Sequence, residues 1–207
     1  MKRRRVTAVV LCWNRWTLTR RCLETLKATT DLSDVDVLAV DNGSTDETPA
    51  RLSEIPWVRV VTNPTNLGYV RGNNAGIAAA DPESDVLLLN NDLEFPQPGW
   101  LDAMRATAAS APDIGVVGCR LRLPDGRLLH AGAHMLTDTF WGQQIGALET
   151  DVNQYARDRD VPGVVFACAY LRREVLDAIG PLSTAYVSYF EDTDFCLRAA
   201  AAGFRTV

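Results

Sequence analysis

The sequence predicts an α/β fold: an open, mostly parallel sheet flanked by helices. Three observations carry this. Apolar runs of strand length alternate with segments of helical period. The runs are continuously apolar instead of alternating with polar residues, as in strands covered on both faces. Asn14, Asp41 and Asp92 each stand just past a different run, where open α/β sheets bind their ligands. Such alternation calls for parallel pairing through right-handed crossovers.

Residues 6–12 are rich in β-branched side chains and form the first strand. Residues 17–29 carry Leu18, Cys22 and Leu26 at four-residue spacing, a helix with one buried stripe. A strand over 35–40 runs into Asp41-Asn42-Gly43-Ser44, and Ser44 with Glu47 has capping-box spacing for a short helix through Leu52. Residues 58–61 read as a strand, 63–68 as a loop and 70–80 as a helix. Gly68, Gly72 and Gly76 recur at helical spacing, which suits close packing of that helix on the sheet. A strand over 86–89 leads directly into Asn90-Asn91-Asp92. A helix over 100–110 and a strand over 115–118 follow.

The second half is less regular. Pro124-Asp125-Gly126 signals a turn, giving a small antiparallel hairpin over 121–130. Residues 130–159 show no clear period and form a long excursion suited to an acceptor site. A strand over 164–171, a helix over 173–179 ending at Gly180-Pro181, a helix over 192–202 stopped by Gly203, and the start of a strand at 204–207 complete the chain. No repeat or linker interrupts it, so 1–207 is expected to be one domain, with a ligand-binding half over 1–118 and a second half over 119–207.

At 207 residues, 47% hydrophobic and 23% charged with a net charge of −5, the composition suits one packed core and argues against disorder or a nucleic-acid surface. Only Lys2 and Lys27 are lysines, so phosphate contacts fall to arginine, backbone amides or a metal. Five cysteines without C-x-x-C spacing favour a reducing, cytoplasmic setting. The basic start resembles the opening of a signal peptide, but Asn14-Arg15 interrupts the apolar run behind it, which reads as a buried strand. No run reaches the roughly 18 to 20 apolar residues that cross a bilayer, and weak contact with an anionic membrane face is the most the basic start implies.

Neither G-x-G-x-x-G nor a P-loop is present, so a phosphate group needs another holder. Asp92 is a candidate metal ligand, because Mg²⁺ takes one or two carboxylates and completes its shell with phosphate oxygens and water. Glu191-Asp192-Thr193-Asp194 follows Tyr186, Tyr189 and Phe190. Carboxylates there also suit a helix N-terminus, but an aromatic wall raises carboxylate basicity as a general base requires. His130 and His134 have the i, i+4 spacing of a metal pair, although no acidic third ligand is near in sequence. Trp141, with Phe140, could stack on an acceptor sugar or anchor the loop. Arg71 suits a solvated helix face or a phosphate contact.

Five segments together resemble the inverting glycosyltransferases of family 2, which have the GT-A fold, and in particular their bacterial rhamnosyltransferase-like branch. They are Val9-Val10-Leu11-Cys12-Trp13-Asn14-Arg15; Val40-Asp41-Asn42-Gly43-Ser44-Thr45-Asp46; Asn66-Leu67-Gly68-Tyr69 with Gly72-Asn73-Asn74-Ala75-Gly76; Leu88-Leu89-Asn90-Asn91-Asp92; and Tyr189-Phe190-Glu191-Asp192-Thr193-Asp194-Phe195-Cys196-Leu197-Arg198. The resemblance implies transfer of a sugar from a nucleoside diphosphate, dTDP- or UDP-linked, to a glycan or lipid-linked acceptor in cell-surface glycan synthesis. Asp41 and Asn42, with the loop at Cys12 and Asn14, would hold the nucleotide, and Asn74 would lie near its diphosphate. Asn90-Asn91-Asp92 occupies the family's D-x-D position, with Asp92 holding Mg²⁺ or Mn²⁺. Asp192 corresponds to the catalytic base, with Glu191 and Asp194 orienting base or acceptor.

Two departures accompany the resemblance. Leu182-Ser183-Thr184 replaces a more acidic loop, and relatives continue past the position of Val207 with a histidine-bearing strand, so a donor-binding fragment is an alternative expectation. A nucleotidyltransferase of related topology is another.

Overall fold

The computed structural model describes residues 4–136 and 142–207. Its centre is a seven-stranded sheet in the order β11-β5-β10-β4-β1-β2-β3. The strands are β1 (Val6–Cys12), β2 (Val35–Asp41), β3 (Val58–Thr62), β4 (Asp85–Asn90), β5 (Ile114–Val117), β10 (Cys168–Leu171) and β11 (Arg205–Thr206). Helices α1 (Trp16–Thr29), α2 (Thr48–Ser53), α3 (Gly68–Ala79), α4 (Trp100–Ser110), α5 (Arg173–Ile179) and α6 (Glu191–Ala201) connect or follow them. Two small antiparallel pairs stand apart: β6 (Leu121–Arg122) with β7 (Leu128–His130), and β8 (Ala133–Met135) with β9 (Gly142–Gln144).

The apolar runs become strands because both of their faces are buried. Along β1, Val6, Ala8, Val10 and Cys12 join one core with Cys22, Leu23 and Leu26 of α1, Leu52 of α2, and Leu101 and Met104 of α4. Val9, one step out of phase, joins the other core with Val70 and Ile77 of α3, Val175 of α5 and Phe195 of α6. The period-two alternation of a strand thus feeds two helical layers. Gly72 and Gly76 bring α3 close: a Cβ on Gly72 would stand 2.6 Å from Leu11 Cδ1, and one on Gly76 would collide with Val9.

β1, β2, β3 and β4 are mutually parallel, as the alternation implied. β10 is the exception, inserted antiparallel between β4 and β5. Expected as a strand over 164–171, it narrows to Cys168–Leu171. The backbone groups ahead of it serve distant partners: Val165 N–H donates to His130, Phe166 C=O accepts from Tyr69, and Ala167 C=O accepts from Asn90 N–H. The capping box is also corrected. Ser44 Oγ accepts from Asn14 N–H at 2.8 Å, and α2 starts only at Thr48, whose N–H donates to Asp46 Oδ1. All five cysteines are free, and no helix among the described residues is long and apolar enough to cross a membrane.

Candidate active site

Strand register brings the polar clusters together. Cys12 is opposite Asp41 and Leu11 opposite Asn90, so β1, β2 and β4 end side by side at one edge of the sheet. β10 starts at the same edge, with Cys168 opposite Leu89.

At the end of β2, Asp41 is 1% exposed. Its Oδ1 accepts from Ser44 N–H at 3.0 Å, while its Oδ2 is buried without a partner among the described residues. A buried carboxyl oxygen left in this way is costly unless a ligand donor meets it. Asn14 sits in left-handed backbone, and its Oδ1 accepts from the N–H groups of Thr45 and Asp46 at 2.8 and 3.3 Å. The loops after β1 and β2 are therefore locked to each other.

Several residues expected to touch the ligand are engaged with protein instead. The Cys12 thiol is buried in the core and donates to Val10 C=O, so only its backbone reaches this edge, where its carbonyl accepts from Asn42 N–H. The Asn42 carboxamide is fully used: Nδ2 donates to Asn66 Oδ1 and Gly68 C=O, and Oδ1 accepts from Asn63 Nδ2 and Leu67 N–H. Asn74 grips both backbone groups of Leu182, at 2.8 and 3.0 Å. Asn91 Nδ2 donates to Thr19 Oγ1 on α1, and the Asn90 backbone is held by Ala167 and the Cys22 thiol. Arg71 is on an exposed helix face.

Asp92 differs. Its side chain is exposed and has no hydrogen bond or ion pair among the described residues. No three metal-binding side chains cluster there or elsewhere in those residues. One free carboxylate fits a hard divalent cation whose remaining ligands are phosphate oxygens and water.

Across the edge, Glu191 and Asp192 open α6, preceded by Tyr189 and Phe190, which both have left-handed φ, 66° and 67°. Non-glycine residues in that conformation store strain, as active-site segments often do. Asp192 accepts from the N–H and hydroxyl of Thr193 and from Phe166 N–H, yet burial outweighs these bonds and raises its pKa. Glu191 is 7% exposed and its Oε2 has no partner among the described residues. Burial, aided by the charge of Asp192, pushes it up to about 7. Asp194 faces away: its carboxylate pairs with Arg198 at 2.8 Å, and Arg198 holds the carbonyls of Ile179 and Pro181.

Tyr69, given no role by sequence reasoning, ties the two sides. Its hydroxyl donates to Phe166 C=O at 2.7 Å, and it feels the charges of Glu191, Asp192 and Asp92 together. The segments bearing Asp92 and Asp192 meet through residues 166–167: Ala167 C=O accepts from Asn90 N–H, and Phe166 N–H donates to Asp192. Next to Asp192 a cavity of about 270 Å³ is lined by Met135, Gln144, Val165, Tyr189 and Phe190, among others. Trp141 and Phe140 lie outside the described residues. His130 and His134 diverge: His130 is buried and hydrogen-bonded at the end of β7, while His134 is exposed on β8.

This arrangement has close parallels. Residues 7–180 match the model of glycosyl transferase family 2. The chain is 34% identical, over 98% of its length, to the O-antigen biosynthesis protein RfbC of Myxococcus xanthus, and spans 16% of that protein. It is 31% identical, over 84% of its length, to the N-acetylglucosaminyl-diphospho-decaprenol L-rhamnosyltransferase of Mycobacterium tuberculosis, and spans 63% of it. In backbone it is similar to the mannosyltransferase PcManGT of Pyrobaculum calidifontis, solved with GDP-Man and Mn²⁺. That similarity has a TM-score of 0.75 at 20% identity and covers all of this chain and 55% of that one. The fold is accordingly GT-A. The family match begins within β1, crosses the loops bearing Asn14, Asp41 and Asp92, and ends just after α5, so the chain belongs to glycosyl transferase family 2.

Proposed function

We propose that the chain transfers a sugar from a nucleoside-diphosphate sugar to a hydroxyl acceptor with inversion at the anomeric carbon, with Asp192 as general base. The observation that supports this is the link through residues 166–167, where Ala167 C=O accepts from Asn90 N–H, two residues before Asp92, and Phe166 N–H donates to Asp192. Asp192 is half-buried, with basicity raised by burial, and is fixed by Phe166 N–H. It accepts the acceptor's hydroxyl proton as that oxygen bonds to the anomeric carbon and the bond to the diphosphate breaks. Glu191 beside it is also raised by burial, aided by the charge of Asp192. Asp41 Oδ2 is free to accept from the base of the nucleotide. Asp92 would hold Mg²⁺ or Mn²⁺, which offsets charge on the departing diphosphate; the similar mannosyltransferase was solved with Mn²⁺.

An L-rhamnose donor and a polyprenyl-diphosphate-linked N-acetylglucosamine acceptor are favoured by the name of the rhamnosyltransferase relative, and a dTDP-linked form of that donor suits the Asp41 contact. A UDP-sugar would suit the same Asp41 contact. Incubation with dTDP-, UDP- and GDP-sugars, either cation and farnesyl-diphospho-N-acetylglucosamine should release nucleoside diphosphate and glycosylated acceptor. Pyrophosphate release would identify a nucleotidyltransferase, and donor binding without turnover a donor-binding fragment.

A further inference from the structure

We propose that His130 is a positioning residue for the acceptor: its neutral imidazole fixes the wall of the cavity that faces Asp192. The inference rests on the transferase reading above. His130 Nε2 accepts two backbone hydrogen bonds, from Gly132 N–H at 3.2 Å and Val165 N–H at 3.3 Å. A nitrogen that accepts cannot carry the proton, so the proton is on Nδ1 and is donated to Gln144 Oε1. The ring is 1% exposed, which makes its two acceptor bonds hard to replace with water.

The three partners belong to three separate stretches of chain, and two of them, Gln144 on β9 and Val165, line the cavity directly, while Gly132 is joined to the lining residue Ala133. Glu191 and Asp192 line the same cavity. Val165 is followed by Phe166, whose N–H donates to Asp192. One imidazole thus ties the lining an acceptor leans on to the carboxylate that takes its proton. None of its bonds reaches the edge formed by β1, β2 and β4. The β8–β9 pair has three paired positions among the described residues, so an added tether has leverage over its placement.

The test compares wild type, His130→Leu and His130→Gln, using farnesyl-diphospho-N-acetylglucosamine as acceptor and dTDP as the donor-site probe. In His130→Leu the acceptor KM should rise at least tenfold while the Kd for dTDP stays within twofold. His130→Gln, whose carboxamide oxygen can replace Nε2 as acceptor, should recover most of that change. An unchanged acceptor KM in folded His130→Leu, or an equal loss of dTDP affinity, would overturn the proposal. If neither variant folds, imidazole ¹⁵N spectra of the wild type decide: a neutral Nδ1–H ring that responds to the glycolipid supports the assignment, and a protonated, Nε2–H or unresponsive ring contradicts it. Absence of any nucleotide release by the wild type counts against the transferase reading instead. Direct binding of the same glycolipid, weakened in His130→Leu, then reads the cavity independently.

Discussion

The edge formed by β1, β2 and β4 and the first turn of α6 handle their polar groups in opposite ways. On this side, Asn14, Asn42, Asn74 and Asn91 are consumed in bonds to backbone groups or neighbouring side chains, leaving Asp41 Oδ2 and Asp92 without a hydrogen-bond partner among the described residues. At α6, two adjacent carboxylates, Glu191 buried and Asp192 half-buried, have raised pKa values and follow strained aromatic residues. A rigid frame with two open acceptors suits holding a ligand of fixed shape. Destabilised carboxylates suit moving a proton, because basicity is what their burial raises.

If this division holds, substitutions on the two sides should affect different steps. The largest effect is expected from Asp192→Asn, which should cut transfer by roughly 10² to 10⁴ and leave the dTDP affinity measured by calorimetry unchanged. Asp92→Asn should weaken the metal-dependent part of that affinity and slow transfer about a hundredfold. An equal effect of Asp192→Asn on dTDP affinity would break the comparison.

Stability sharpens it further. Gly76→Val, where α3 packs on the face of β1 and β2, should destabilise by about 1 to 3 kcal/mol in denaturant unfolding, because the new side chain collides with Val9 and Val40. Glu191→Gln should do the reverse. The folded pKa of Glu191 is raised from 4.5 to about 7, so across that window the folded chain binds more protons than the unfolded one. Wild-type stability then falls as pH rises, and the deficit is complete above 7. Thermal melts of Glu191→Gln should match wild type below pH 4.5 and exceed it at pH 8, with a gain of at most about 3 kcal/mol, reduced by solvent screening.

The parallel frame was readable from the sequence because both faces of β1, β2 and β4 are apolar, and nothing but a two-sided burial explains such runs. The convergence of Asp41 and Asp92 followed from strand direction. The direction of β10 was not readable, since Cys168–Leu171 is equally apolar in either orientation. Nor was its late start, which depends on His130, Tyr69 and Asn90 claiming the backbone of residues 165–167. The partners of the carboxamides were not readable for a related reason: an asparagine beside a ligand and one gripping neighbouring protein groups look alike in sequence, and the side chains of Asn42 and Asn74 are bonded within the protein. The same ambiguity attaches to Asp194, whose partner Arg198 lies one helical turn on.

The account stands on Asp92 and Asp192 sharing a crevice, and Mn²⁺ bound with dTDP measures this directly through paramagnetic broadening of backbone amide signals. The amides of Phe166 and Asp192 should broaden in the wild type and recover in Asp92→Ala, while Arg205 on β11 is little affected. Sharp signals at Phe166 and Asp192 in the presence of bound Mn²⁺, or broadening that persists in Asp92→Ala, would contradict it.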